Sequence, residues 1–149
     1  MNYSSQTTNK PMSNSGDLRN LIEVALNNKG YTRVPGLAEL VPGTYTTNKA
    51  VSQTIYGRPF STDFVVITKS SMTLFIESRW QQASGSIDEK FPFLSANLIA
   101  INKPTILILD GNGYTNDAYT WLKESFIGTQ VTLHTLASFQ ALLNTNTLL

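Results

Sequence analysis

The sequence predicts an α/β fold, a mixed β-sheet flanked by helices, and three observations point to it. Thr62 to Thr68 and Met72 to Arg79 are dense in β-branched and aromatic residues. Only Lys69-Ser70-Ser71 separates them, which makes them a hairpin. Thr105 to Leu109 is an unbroken apolar run, the pattern of a strand buried on both faces. Helical periodicities stand before, between and after these strands. The order helix, several strands, helix, strand, helix, strand, helix packs as helices against one sheet.

Along the chain, Met1 to Gly16 is polar, rich in Ser, Thr and Asn, and reads as a flexible arm (1–16) ahead of a single domain (17–149). Asp17 has the character of a helix N-cap. Leu18, Leu21, Ile22, Ala25 and Leu26 follow the spacing of one buried helical face, and Gly30 supplies the stop. Tyr31 to Tyr56, punctuated by Pro35, Gly36, Pro42 and Gly43, reads as a long connection with a short strand near Val51 to Tyr56. Tyr56-Gly57-Arg58-Pro59 is turn-like. After the hairpin comes a polar stretch, Ser84 to Lys90, in which Ser86 and Glu89 have capping-box spacing. Pro92 is expected as the first residue of a helix reaching about Ile101. Past the apolar strand, Asp110-Gly111-Asn112-Gly113 reads as a strand exit. A helix over Asn116 to Phe126 would turn Ala118, Trp121 and Leu122 inward. A strand near Gln130 to His134 and a helix over Leu136 to Leu143 complete the order.

Bulk composition removes several function classes. The 149 residues suffice for one domain with a real core. A hydrophobic fraction of 41% is ordinary for a globular protein, and the net charge of +1 announces no polyanion partner. The absence of cysteine excludes disulfide scaffolds, cysteine-ligated zinc and thiol catalysis. A single histidine, His134, excludes multi-histidine metal sites. No basic patch leads an apolar run at the N-terminus, and no apolar stretch approaches the ~20 residues of a membrane helix. The expectation is a cytoplasmic protein with no membrane partner.

The hairpin is where chemistry concentrates. With a turn over Thr68 to Met72, Ile67 pairs with Thr73, Val65 with Phe75 and Asp63 with Glu77. Directly opposed residues share a face, so two carboxylates stand side by side at the open end of an apolar hairpin. Like charges so placed destabilise a strand pair. An exposed position, a shared proton or a cation has to offset that, and Mg²⁺ takes one or two carboxylates in this way. Arg79 and Gln81 continue the same face of the strand. A cation at Arg79 could hold a phosphate and stabilise charge developing on it. Spacing alone favours a surface salt bridge between Glu77 and Arg79 over a catalytic role.

Asp63-Phe64-Val65-Val66, then Phe75-Ile76-Glu77-Ser78-Arg79-Trp80-Gln81, then Ser84-Gly85-Ser86-Ile87-Asp88-Glu89-Lys90 resemble the core of the PD-(D/E)XK nucleases. The likeness is to small restriction-endonuclease-like proteins in particular, and it runs from about Leu18 to Leu143. It implies a restriction-endonuclease-like mixed sheet and metal-dependent hydrolysis of phosphodiester bonds in DNA. Mg²⁺ or Mn²⁺ would be the cofactor and duplex DNA the partner. A homodimer is implied because cutting both strands needs two sites.

On this resemblance Asp63 matches the first metal-binding acid and Glu77 the second. Arg79 matches the lysine that orients the attacking water, and Gln81 a glutamine two positions on. Glu23, on the first helix, matches an additional acid near the metal. The sequence departs from the pattern at Arg79, since lysine can shed a proton when buried and arginine effectively cannot. Lys69 and Lys90 are the candidates to stand in. Two alternatives stay open: a weak or inactive nuclease-fold protein that binds nucleic acid or a protein partner, and an interaction domain unrelated to nucleic acid. Trp80 and Tyr56 could stack on bases or simply pack.

Overall fold

The structure, a computed structural model, describes residues 14–81, 87–146 and 149. The first helix, α1 (Ser15–Asn28), starts three residues earlier than its sequence signal. Asn14 is the N-cap, and its side chain accepts the N–H of Asp17 at 2.9 Å. Asp17 instead sits in the first turn, where a carboxylate favours the helix N-terminus. Ser15 and Gly16, read as part of the arm, therefore form the opening turn; residues 1–13 lie outside the described residues. The buried stripe is Leu18, Ile22 and Leu26, with Leu21 and Ala25 at its margin. Gly30 ends the helix at φ +97°.

The stretch read as a connection holds a long strand, placed earlier than the short one expected near Val51 to Tyr56. A short β1 (Thr32–Arg33) and one 3₁₀ turn (Leu37–Glu39) precede β2 (Thr44–Gln53), a ten-residue strand. Its polar sequence hid it, because threonine and tyrosine suit a pleat without giving an apolar alternation. Tyr45 and Thr46 are buried nonetheless. The turn at Tyr56 and Gly57 is present and leads into β3 (Pro59–Ile67), followed by β4 (Thr73–Gln81). Residues 82–86 lie outside the described residues, as does the capping serine expected at Ser86. The next helix, α2 (Ile87–Ile101), contains Pro92 in its second turn rather than at its start. Then come β5 (Thr105–Gly111), α3 (Asn116–Ser125), β6 (Val131–His134) and α4 (Leu136–Thr145). Thr115 and Thr135 cap the last two helices.

The six strands lie in sequence order, β1 to β6. The β2–β3–β4 meander is antiparallel, while β1 pairs parallel with β2 and β4, β5 and β6 run parallel. Parallel neighbours need crossovers, and right-handed crossovers progressing in one direction put their helices on one face. So α2 and α3 pack on one side, where Phe91, Leu98 and Leu122 meet Leu107 and Leu109. The opposite face is covered by α1 and α4, whose Leu18, Ile22 and Phe139 meet Phe64, Ile76 and Ile108. Leu122 is inward as expected, but Trp121 is 47% exposed. No helix among the described residues is long and apolar enough to cross a membrane.

Candidate active site at a forked hairpin

The predicted register of the hairpin is observed for Ile67 with Thr73 and Val65 with Phe75. The ladder ends at Phe64 with Ile76, one step before Asp63 would face Glu77. On the other flank of β3 the ladder to β2 skips Asn48 and Asp63, although Thr47 pairs with Phe64 and Lys49 with Thr62. Asn48 has φ +53°, a left-handed conformation that asparagine tolerates better than most residues. Asp63 is thus released from both neighbouring strands. Breaks of this kind let a strand re-aim one side chain.

Side chains take over where the backbone ladder stops. The N–H of Asp63 donates to Glu77 Oε1 at 2.9 Å. In return, Asp63 Oδ2 accepts the N–H of Ser78 at 2.9 Å and its hydroxyl at 2.6 Å. Each acid therefore satisfies a backbone donor that the fork leaves open. The carboxylates are brought together as the sequence implies, but not side by side at the surface. Asp63 stands on the wall of a cleft of about 390 Å³. Glu77, 3% exposed, lies buried behind it.

Arg79 is on Glu77's face of β4, as alternation requires. Its Nη1 donates to Glu77 Oε2 at 2.6 Å and to the Ser78 carbonyl at 2.9 Å. Burial pushes the Glu77 carboxyl up to about 7; Arg79 opposes that rise and the charge of Asp63 adds to it. Of the lysines considered as stand-ins, Lys69 lies at the far end of the hairpin, donating to the Lys29 carbonyl and covering the Tyr31 ring. Lys90 is exposed on α2.

Gln81 closes β4 opposite Gly111 of β5. Its carbonyl accepts the N–H of Gly113 at 2.8 Å. Gly111 has φ +93°, and a Cβ there would collide with the Gln81 carbonyl. Gly111→Ala is expected to cost more than about 2 kcal/mol, combining left-handed strain with displacement of the β4 end. Urea denaturation measures this.

Glu23 faces the same cleft as Asp63, but its Oε2 is engaged by Arg33 Nη1 at 3.2 Å and the Tyr45 hydroxyl at 2.8 Å. Among the described residues no three acids or histidines gather in a manner suited to a metal. Ser78, Asn48 and Arg33 are contributors that sequence reasoning missed. An asparagine inside a strand is the one signal that was available. Of the aromatic candidates, Trp80 packs toward the α1/α4 core, while Tyr56 is exposed and stacks on Phe93 at 5.5 Å. The Nδ1 of His134 lies 2.7 Å from Ser138 Oγ, and burial lowers its pKa. Asp110 accepts the N–H of Leu136 at 3.0 Å, securing the start of α4.

No curated protein and no solved structure matches the chain at a significant level. A family model does match, described as a PD-(D/E)XK nuclease superfamily domain and covering residues 11–147. The mixed sheet with helices on both faces accords with the restriction-endonuclease-like fold expected of such a domain. The chain belongs to the PD-(D/E)XK nuclease superfamily.

Proposed function

We propose that the protein is a metal-dependent endonuclease hydrolysing phosphodiester bonds in DNA, with Asp63, Glu77, Arg79 and Gln81 at its centre. The observation that carries this reading is the forked hairpin, which sets one carboxylate on a polar cleft and a second directly behind it. The donor set fits a hard divalent cation such as Mg²⁺ or Mn²⁺. Both acids offer carboxylate oxygens, and among the described residues Asp63 Oδ1 has no hydrogen-bond partner. When bound there, the metal would polarise the scissile phosphate and lower the pKa of a water.

The remaining work falls to the chain's own groups. Ser78 fixes the Asp63 carboxylate through two hydrogen bonds, so its free oxygen points in one direction. Arg79 is always charged at physiological pH; it holds charge on the phosphate and accepts no proton. Its side chain is 35% exposed, which leaves the guanidinium reachable. Gln81, two residues on, adds an amide to the same strand face. Glu23 lines the same cleft, committed to Arg33 and Tyr45.

An end-labelled DNA duplex incubated with Mg²⁺ or Mn²⁺ tests the reading. Cleavage that EDTA stops is expected; binding with no cleavage in either metal would sink it. A second reading, a nucleic-acid-binding protein of low activity, is favoured by Arg79 itself. Its Nη1 already bridges Glu77 and the Ser78 carbonyl, placing a fixed cation among the oxygens. Arg79→Lys separates the two. On the first reading the rate with Mn²⁺ changes by less than about tenfold, or 1.4 kcal/mol. A larger gain would mean that arginine holds back an otherwise competent site.

A further inference from the structure

The cleft that Asp63 lines carries features that the acid pair does not use. Its wall is formed by Arg19, Asn20 and Glu23 of α1, Arg33 of β1 and Thr47 of β2. Arg33 is held from two sides, Nη1 donating to Glu23 Oε2 at 3.2 Å and Nη2 to Thr47 Oγ1 at 3.0 Å. Glu23 is itself held by the hydroxyl of Tyr45, a ring with no exposed surface, whose oxygen also lies 2.7 Å from the Asn27 side-chain amide. An exposed Arg–Glu pair adds little stability on its own. Here the chain Tyr45–Glu23–Arg33–Thr47 fixes a guanidinium whose side chain remains 57% exposed. Arg19 has no ion pair among the described residues and faces the same space.

We propose that Arg19 and Arg33 form a phosphate clamp, holding two backbone phosphates of a nucleic-acid strand that runs along the cleft to Asp63. Guanidinium groups match phosphate oxygens in bidentate fashion, and a prefixed one loses less side-chain freedom on binding. Asn20 and Thr47 supply neutral polar contacts between them. In this scheme Glu23 is a positioning residue for Arg33. The clamp rests on the nuclease reading of the fork, since it assigns the strand that the fork would cut.

The test is DNA binding by the full chain in EDTA, where no cleavage occurs, with a fluorescent duplex and the matching single strand over a range of salt. Each phosphate contact contributes about 0.9 to the slope of log affinity against log salt on duplex. Arg19→Ala with Arg33→Ala should therefore lower that slope by about 2 and weaken binding at least about tenfold at low salt. Arg19→Glu, a change at a side chain with no ion pair among the described residues, should weaken binding more than Arg19→Ala does, without lowering the melting temperature. An unchanged slope and affinity in both variants would overturn the clamp. If the wild type still cleaves DNA with metal in that case, the clamp alone fails. If the wild type neither binds nor cleaves, both readings fail together.

Discussion

Glu77→Gln is expected to reduce metal-dependent cleavage by at least about a thousandfold, while making the metal-free protein more stable at pH 8. The first effect follows from charge. A carboxylate that helps hold a divalent cation supports several kcal/mol of transition-state stabilisation, and ~4 kcal/mol corresponds to about three orders of magnitude in rate. The second follows from burial. Glu77 is 3% exposed, so its ionised form is costly to hold in the core. The amide keeps the shape and can still accept the Asp63 N–H. The amide NH2 would then face Arg79, whose 35% exposed side chain can turn to solvent. Cleavage of a labelled duplex gives the first quantity and urea denaturation the second. A variant both less active and less stable at pH 8 would point to a purely structural acid.

Stability without metal should also fall as pH rises from about 4.5 to 7, against the usual behaviour of a salt-bridged carboxylate. In the folded chain the Glu77 carboxyl titrates at about 7, against 4.5 for an unperturbed group. Between those values the folded state binds more protons than the unfolded state, so unfolding free energy decreases with pH. The contribution is complete below 4.5 and is lost as pH passes through 7. The gap corresponds to on the order of 3 kcal/mol. Denaturation at pH 5 and pH 8 reads it directly, and Glu77→Gln should flatten the difference. Equal slopes in wild type and variant would show that Glu77 is ionised throughout.

How far this molecule can be read from its sequence depends on which physical signal each part carries. The hairpin register was legible because the three residues Lys69, Ser70 and Ser71 fix the turn and β-branched runs flank it. The apolar run through Leu109 announced a strand covered on both faces, which α1, α2, α3 and α4 indeed cover. Only the end of β2 was legible, in the short strand expected near Val51, since Thr44-Tyr45-Thr46-Thr47 presents hydroxyls where a reader looks for aliphatic alternation. Trp121 was placed inward by periodicity, yet the helix turns Leu122 rather than Trp121 fully into the core.

The candidate site divides in the same way. Asp63, Glu77 and Arg79 could be selected from spacing together with a family resemblance. Their arrangement could not, because alternation assumes a continuous ladder and this one breaks at Asp63. Glu23 shows the limit most clearly. Its helical position brings it to the cleft, but its partner Arg33 comes from a two-residue strand that no periodicity could reveal.

The most direct test of the fork as a metal-dependent phosphodiesterase centre is nicking of supercoiled plasmid by wild type and Asp63→Ala in Mn²⁺. The wild type should convert the plasmid to nicked or linear forms and stop on addition of EDTA, while the variant should leave it supercoiled. Equal nicking by the two proteins, or nicking that persists in EDTA, would contradict the assignment.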